Sequence, residues 1–229
     1  MSAPLAIGFD FDHTLGVDHA LERKALYVYA EELGAPLDPH DGSWPMRIEA
    51  LLAAFRAGEI SLERMVARFG EALAVPDADP ERWRAICYAL VDPLVQPVAG
   101  ARETLAVLRE RGVPLAILTN GWSPLQQLKI ARALGDAIET ILVSDQLGAV
   151  KPARACFAAL VAALGVPAEQ VWYVGDNPRG DVGGALAAGL RAVWFDWEGQ
   201  QYPADLPPPT VRIRALRELE ALVQNTLVP

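Results

Sequence analysis

The sequence predicts an α/β protein with a doubly wound parallel sheet, helices on both faces and a separate helical unit inserted after the first strand. Short apolar runs that alternate with helical stretches indicate the sheet, because this alternation builds right-handed βαβ units. Residues 17–95 interrupt the alternation with helical periods only. A chain of 229 residues is long enough for one α/β domain that carries such an insert. We therefore expect a core domain at 1–16 and 96–229 and an inserted domain at 17–95.

Five short apolar runs predict the strands of the core. The first covers residues 5–9 and ends abruptly at Asp10, as a buried parallel strand ends where its chain enters a loop. Four later strands are expected at 113–118, 140–143, 170–174 and 192–195. Since helical stretches separate these later runs, we expect the strands to be parallel.

Helical periods between the strands predict the core helices, and a glycine, the usual residue beyond a helix C-terminus, follows each of the first four. These four are expected at 101–111, 123–134, 152–164 and 181–188. A last amphipathic helix is expected at 213–223, after the proline-rich turn at 207–209.

The insert shows four apolar stripes at helical spacing and no convincing strand. Asp79 as N-cap and Pro80 at the first helical position predict the start of the fourth helix. Hinges between the insert and the core are expected at 16–18 and 93–100, where glycine and proline break the periodicity. The insert is therefore predicted to be a helical domain of its own.

Composition and charge exclude several classes of partner. With 20 basic and 29 acidic residues the net charge is −9, and no segment concentrates the basic ones, which disfavours binding to nucleic acid or to an acidic membrane. No apolar run reaches the ~18 residues of a membrane span, and the first residues do not resemble a signal peptide. Cys87 and Cys156 lie in helical apolar patterns, so both are interpreted as reduced core residues. We expect a soluble cytoplasmic protein, whose oligomeric state the sequence does not indicate.

Polar residues gather where the first two predicted strands end, at the sheet edge where open α/β sheets bind ligands. Alternation along an extended chain points the Asp10 and Asp12 side chains to the same side, so the pair needs a cation or a shared proton. An acidic strand end with Asp12 beginning a turn is the alternative. Thr119 and Asn120 open the helix at 123–134, where hydroxyl, amide and backbone N–H groups suit an anionic oxygen. An ordinary Thr-Asn-Gly turn is the alternative there.

Two further clusters follow later strands. Lys151 precedes Pro152, the predicted first residue of a helix, and a cation at a helix N-terminus favours a nearby anion. A solvated surface lysine is the alternative. Asp176 and Asp181 lie in a glycine-rich turn in which Asp181 could merely cap a helix. With the first pair, they bring four carboxylates to one edge, where they would surround a hard divalent cation such as Mg²⁺.

The motif order Asp-x-Asp-x-Thr, Thr-Asn-Gly, Lys-Pro and Gly-Asp with a further Asp five residues on resembles the haloacid dehalogenase (HAD) superfamily of phosphohydrolases. The resemblance covers the whole chain, since the helical insert lies where members of subfamily I carry their C1-type cap. It implies a Rossmann-like core with strand order 5-4-1-2-3. In that order the strands before the first and fourth motifs are neighbours.

The resemblance also implies chemical roles. Asp10 would be the nucleophile that becomes an aspartyl phosphate, and also a Mg²⁺ ligand. Asp12 would be the general acid and base, with its backbone carbonyl on the same metal. Asp176 and Asp181 would hold Mg²⁺ directly or through water.

Substrate contacts follow from the same resemblance. Thr119 and Lys151 would hold the phosphoryl oxygens, and Asn120 is a further expected substrate contact. In similar C1-capped enzymes the connection between the first two cap helices, here 39–45, contacts the leaving group. Trp44 in that connection and the following Arg47 are therefore expected to bind it, with packing of Trp44 against the cap helices as the alternative.

The expected function is Mg²⁺-dependent hydrolysis of a small phosphomonoester. A 2-haloacid dehalogenase and a phosphomutase on the same fold are alternatives, although dehalogenases that resemble this chain lack the acid at Asp12, since a halide needs no proton. A non-catalytic phosphorylatable signalling or binding protein is an alternative of another class, but signalling receivers lack the helical insert. The resemblance does not identify the substrate, because the cap supplies specificity.

Overall fold

The structure is a computed structural model that describes residues 6–40 and 42–227, with side chains described as far as residue 223. Leu5, predicted to begin the first strand, and Asp41, in the connection between the first two insert helices, lie outside the described residues. Contacts divide the chain into two compact units, one formed by 18–95 and the other by the residues before and after that segment. None of the helices in the described ranges is long and apolar enough to cross a membrane.

The larger unit is built on a parallel sheet. Its strands are, in chain order, β1 (Ala6–Phe9), β2 (Gly16–Val17), β3 (Gln96–Pro97), β4 (Leu115–Thr119), β5 (Thr140–Val143), β6 (Val171–Gly175), β7 (Arg191–Phe195) and β8 (Val211–Ile213). Six of them form one sheet in the order β5-β4-β1-β6-β7-β8, and every pair is parallel. The predicted α/β class is confirmed, and the strands before the first and fourth motifs are neighbours.

The smaller unit is helical. Its helices are α1 (Leu21–Glu32), α2 (Trp44–Arg56), α3 (Leu62–Ala72) and α4 (Pro80–Leu94). Asp79 caps α4, because its Oδ1 accepts the backbone N–H of Glu81 at 2.9 Å. Trp83 is fully buried and packs edge-on against Phe55, with ring centroids 6.3 Å apart. The apolar stripes therefore meet in a core that belongs to this unit.

Helices cover both faces of the sheet in the larger unit. They are α5 (Ala101–Glu110), α6 (Ser123–Leu134), α7 (Ser144–Leu147), α8 (Arg154–Leu164), α9 (Gly184–Ala187) and α10 (Glu218–Leu227). A π-helical turn, Pro178–Gly183, precedes α9. The central strands β1 and β6 are buried along their whole length, and a sheet covered on both faces needs apolar side chains on both. This is why the two strands form continuous apolar runs rather than alternating patterns.

Several predicted boundaries in the larger unit are wrong. Residue 213 belongs to β8 rather than to a helix, and α10 begins only at Glu218. β8 escaped prediction because it has three residues, two of them partly exposed, so it lacks an apolar run. Pro152 also does not start a helix, since α8 begins at Arg154.

Other differences concern elements too short to carry a period. The expected hinges contain β2 and β3, which pair antiparallel, with Gly16 opposite Pro97. In place of one helix at 181–188, the π-helical turn brings the chain into the short α9. Each of these elements depends on partners that are distant in sequence or on site geometry, neither of which periodicity detects.

Candidate active site

The strand order brings the predicted motif residues to one edge of the sheet. Asp10 follows β1, Thr119 ends β4 and Asp176 follows β6, and these three parallel strands are neighbours. Lys151 joins them from the loop before α8. Because open α/β sheets bind ligands beyond the carboxyl ends of their strands, this edge is the candidate active site.

Three carboxylates form a compact group at this edge. Asp10, Asp176 and Asp181 each place a carboxylate oxygen within 4.8 Å of the other two. The Thr14 hydroxyl oxygen accepts the backbone N–H of Asp176 at 3.1 Å, which ties the loop after β1 to the loop after β6. Carboxylates this close repel each other unless a cation or protons intervene. The donor set, three hard oxygen ligands, fits a hard divalent cation.

Lys151 is buried among the acidic side chains. Its ammonium donates to Asp10 Oδ1 at 2.6 Å, to Asp181 Oδ1 at 2.7 Å and to the Tyr173 hydroxyl oxygen at 3.0 Å. These three bonds use all three N–H donors of a lysine. Burial opposes the charge of Lys151, but the Asp10 and Asp181 carboxylates outweigh burial and raise the pKa of the ammonium well above its usual range. The alternative of a solvated surface lysine is therefore wrong.

One lysine does not neutralise three carboxylates, two of them buried and the third, Asp176, half-buried. Burial, with a smaller contribution from Asp181, raises the pKa of Asp10 to about 7, although Lys151 pulls it down. Burial and the charges of Asp10 and Asp181 raise the pKa of Asp176 to about 8. Without a bound cation these two carboxyls therefore hold protons close to neutral pH. A metal that binds here must displace them.

Local backbone structure explains how Asp181 reaches the group. The Asn177 side chain accepts the backbone N–H groups of Arg179 and Gly180 at 3.0 and 2.9 Å and opens the π-helical turn. The turn brings Asp181 back so that its Oδ2 accepts the N–H of Asn177 at 3.0 Å. A Cβ atom on Gly175 would lie 2.4 Å from the Asp181 side chain. Only glycine at the end of β6 leaves room for this carboxylate.

Hydrogen bonds to neighbouring protein segments hold the loop after β4. The Asn120 side chain accepts the Lys151 N–H at 2.8 Å and donates to the Lys151 carbonyl at 3.3 Å, so it fixes the Lys151 backbone. The Gly121 N–H donates to Ser144 Oγ at 2.9 Å. The Ser123 N–H donates to an Asp145 carboxylate oxygen at 2.7 Å. These two N–H groups at the start of α6 are therefore occupied, and a substrate contact by Asn120 stays a prediction.

Asp12 faces α6. Its Oδ1 lies 2.5 Å from Lys129 Nζ, and its Oδ2 accepts from Gln126 Nε2 at 2.9 Å. The same Gln126 nitrogen lies 2.8 Å from Thr119 Oγ1. Lys129 and Gln126 are almost fully buried, whereas the Asp12 side chain keeps 31% of its surface exposed.

Sequence reasoning missed Gln126 and Lys129. They stand three positions apart on α6 and share one face of the helix. The available signal was the polarity of this buried face, together with the fact that Lys129 is one of only three lysines in the chain. Spacing alone does not show which carboxylate they meet, because Asp12 lies more than a hundred residues away.

The two residues expected to bind the leaving group lie in the smaller unit. Trp44 is the first residue of α2, and its ring packs edge-on against Phe69 with centroids 6.3 Å apart. The Arg47 guanidinium lies 4.3 Å from the centroid of the Trp44 ring. Within this unit, Trp44 therefore takes part in packing, and its proposed substrate contact stays a prediction.

Comparison with a family model identifies a related group of enzymes. The model for haloacid dehalogenase-like hydrolases matches residues 5–189, which is most of the chain.

Two relatives of known name are phosphatases. The chain is 38% identical over 154 residues to the phosphoserine phosphatase of Thermus thermophilus, an alignment that covers 66% of this chain and 61% of that enzyme. It is 34% identical over 191 residues to the ribulose-1,5-bisphosphate 5-phosphatase of Halopiger xanaduensis, covering 83% of this chain and 72% of that enzyme. The chain thus spans less than two thirds of the Thermus enzyme's length.

A solved structure shares the fold over almost the whole chain. The HAD hydrolase YfnB of Bacillus subtilis, whose crystal structure holds magnesium, matches with a TM-score of 0.76 at 25% identity. The match covers 96% of this chain and 99% of that one.

Proposed function

The chain belongs to the haloacid dehalogenase-like hydrolases, and on that premise we propose that it is a Mg²⁺-dependent phosphatase that cleaves a small phosphomonoester through an aspartyl-phosphate intermediate. One observation carries the proposal: the buried Lys151 ammonium contacts Asp10 within a group of three carboxylates at the ligand-binding edge of the sheet. A nucleophilic carboxylate, a fixed cation and a metal-binding group are the parts that phosphoryl transfer through an enzyme carboxylate requires.

The acidic group is the proposed Mg²⁺ site. Asp10, Asp176 and Asp181 would hold the ion, joined by the backbone carbonyl of Asp12. Burial first, and then the neighbouring carboxylates, raise the pKa values of Asp10 and Asp176, and a bound cation would favour their ionised forms. When bound, Mg²⁺ supplies positive charge that lets an anionic phosphate approach an anionic nucleophile.

In the first displacement, a carboxylate oxygen of Asp10 attacks phosphorus and the bond from phosphorus to the leaving oxygen breaks. Asp12 donates a proton to that departing oxygen. The Thr119 hydroxyl and the Lys151 ammonium hold the phosphoryl oxygens as charge shifts onto the leaving group. The leaving alcohol then departs, and the phosphoryl group stays on Asp10.

In the second displacement, water attacks the same phosphorus and Asp12 accepts the proton that water loses. The bond between phosphorus and the Asp10 oxygen breaks, so inorganic phosphate leaves and the Asp10 carboxylate is restored. All three N–H donors of Lys151 already have protein acceptors. When substrate binds, a phosphoryl oxygen therefore replaces one of these three acceptors.

The same fold also serves 2-haloacid dehalogenation, in which a halide leaves without a proton. Asp12 would have no task in that reaction. Here an aspartate is present at this position and Lys129 and Gln126 hold it in one place at the site, which supports a reaction that uses a carboxyl group as acid and base. No comparable observation favours a phosphomutase or a non-catalytic signalling protein.

The proposed substrate is a small phosphorylated metabolite, in keeping with the names of the two phosphatase relatives. Trp44 and Arg47 are proposed to contact its leaving group, and the guanidinium, 4.3 Å from the indole centroid, places a cation beside an aromatic ring. The proposed compartment is the cytoplasm, which agrees with Cys87 and Cys156 being buried and not joined in a disulfide.

A substrate panel tests the function. The purified full chain is incubated with a panel of phosphorylated metabolites and an aryl phosphate, with Mg²⁺ or with excess EDTA, and phosphate release is measured. We expect release with Mg²⁺, none in EDTA and recovery when Mg²⁺ is returned. Undiminished release in EDTA would contradict the metal site, and no release from any substrate would contradict the phosphatase function.

A further inference from the structure

Lys129 lies on the buried face of α6, where an apolar residue would be expected if the position served packing alone. It is 3% exposed, and its ammonium lies 2.5 Å from Asp12 Oδ1 and 5.7 Å from the centroid of the Phe11 ring. Removing an ammonium from water is costly unless a partner of opposite charge compensates. The compensating carboxylate is that of Asp12, the residue that the proposed mechanism uses for proton exchange.

Gln126 joins this contact to the phosphoryl side of the site. Its side chain is 2% exposed, and Nε2 lies 2.9 Å from Asp12 Oδ2, 2.8 Å from Thr119 Oγ1 and 3.1 Å from the Asn120 carbonyl oxygen. An amide nitrogen has two hydrogens, so it satisfies two of these three oxygens at a time. When it donates to Thr119 Oγ1, the Thr119 O–H is still able to donate, and it lies 3.4 Å from the Asn120 carbonyl oxygen.

The Thr-Asn-Gly sequence makes room for this arrangement. Gly121 has a φ of +139°, and a Cβ atom there would lie 2.8 Å from Gln126 Cγ. A larger residue would therefore push Gln126 away from both Asp12 and Thr119. The glycine of the second motif thus explains how a helix side chain crosses over the end of β4.

The two donors hold different oxygens of one carboxylate. Lys129 takes Oδ1 and Gln126 takes Oδ2, so rotation of the Asp12 side chain would break at least one contact. The exposed part of the same side chain keeps access to a leaving group and to water.

We propose that Lys129 and Gln126 are positioning residues that hold the Asp12 carboxylate in the orientation from which it exchanges a proton with the leaving group and then with water. This inference rests on the proposed phosphatase function. Removing the Lys129 ammonium would free Asp12 to rotate, and the loss of rate is expected wherever proton donation limits the reaction.

The test compares Lys129→Met, which keeps most of the side-chain volume, and Lys129→Arg, which keeps the charge, on two substrates in excess Mg²⁺. An alkyl phosphate needs a proton on its leaving oxygen, whereas an aryl phosphate with an acidic leaving group hardly does. We expect Lys129→Met to lower kcat on the alkyl phosphate about 10- to 100-fold, part of the 10²- to 10⁴-fold typical of a general acid or base, with KM little changed. The aryl phosphate should lose less than about threefold, and Lys129→Arg should recover part of the alkyl rate.

Arg212→Met is the matched control, because Arg212 pairs with the buried carboxylate of Asp196 elsewhere in the larger unit. Arg212→Met should lower the melting temperature and change kcat by the same factor on both substrates. A crystal structure of Lys129→Met gives a readout that does not depend on activity, and it should show the Asp12 carboxylate turned away from its wild-type orientation.

Each contrary outcome is distinct. Equal losses on both substrates, or an Asp12 carboxylate that stays in place in Lys129→Met, would overturn the positioning role while the phosphatase function stands. If the wild-type enzyme hydrolyses neither substrate, the phosphatase function fails, and this inference fails with it.

Discussion

Two acids only two residues apart, Asp10 and Asp12, lie in opposite electrostatic settings. Around Asp10, three carboxylates share the single ammonium of Lys151. At Asp12, a single carboxylate accepts from the Lys129 ammonium and from the Gln126 amide, which also lies beside Thr119.

In the first setting the carboxylates outnumber the contacting ammonium, whereas in the second one carboxylate meets one ammonium. A site with surplus carboxylates binds a metal and an electrophile, and a site with balanced charge holds one acid in a defined place. The difference agrees with the two roles proposed for this short loop after β1, a nucleophile at Asp10 and a proton donor at Asp12.

Asp10→Asn should have the largest effect, because an amide is neither a competent nucleophile nor an anionic metal ligand. We expect phosphate release to fall by at least about 10⁴-fold, as is typical when a nucleophile is removed. Circular dichroism should show an intact fold. Near-normal turnover in the purified variant would show that Asp10 is not the nucleophile, and the proposed difference in role between the two acids would then be wrong.

Asp12→Asn should lower the rate of hydrolysis by an amount that depends on the leaving group of the substrate. It keeps the shape of the side chain and should slow an alkyl phosphate by about 10²- to 10⁴-fold while slowing an aryl phosphate much less. Single-turnover rates on the two substrates provide the measurement. An equal loss on both would show that Asp12 is not the acid for the leaving group.

The stabilisation of the fold by Mg²⁺ should increase with pH, because the ion binds the ionised forms of Asp10, Asp176 and Asp181. Burial first, and then neighbouring carboxylates, raise the pKa of Asp10 to about 7 and of Asp176 to about 8, above the values near 3.8 of unperturbed carboxyls. The metal-free protein therefore holds protons that its unfolded chain releases, so its stability falls as pH rises toward these folded-state pKa values. Mg²⁺ binds the ionised carboxylates and restores stability most at high pH.

Thermal unfolding measures this dependence directly. The rise in melting temperature on adding Mg²⁺ to EDTA-treated protein should grow from pH 5.5 to pH 8.5, and apparent affinity should tighten by up to about tenfold per pH unit for each proton displaced. Asp176→Asn is the control and should flatten the pH profile. A Mg²⁺ effect that is constant or shrinks with pH would contradict the acidic group as the metal site.

The smallest expected effect tests whether recognition extends to the smaller unit. Arg47→Ala should lower kcat/KM for the best substrate of the panel about threefold to tenfold, since one lost polar contact is worth about 1 kcal/mol. Hydrolysis of a minimal aryl phosphate should change much less. Trp44→Ala is the companion variant, and equal losses on both substrates with a lowered melting temperature would assign Trp44 to packing on Phe69.

Prediction from sequence succeeded where local pattern and burial agree. The strand at 140–143 and the helix at 123–134 have the predicted bounds, because apolar runs and periodic stripes reflect contacts within one element. It failed at β8 and at β2 with β3, whose few residues are held by partners from elsewhere in the chain. Short elements carry too few residues for a period to show.

The residues of the acidic site divide in the same way. Asp10, Asp12, Asp176 and Asp181 could be selected from the sequence because motif spacing places each at or just beyond a strand end. Lys151 could be selected too, but its burial against Asp181 and Tyr173 could not, since those contacts join segments that are 20 to 30 residues apart.

By itself, the sequence determined the α/β class, the chain order of the motifs and the type of chemical group at each strand end, because these depend on neighbouring residues. Only the tertiary structure decided which carboxylates share Lys151 and which one receives Lys129, because strand order and helix packing set those distances. Electrostatic energy depends on distance and burial rather than on separation along the chain. The difference between the acids proposed to bind metal and the acid proposed to exchange a proton is therefore a property of the folded molecule.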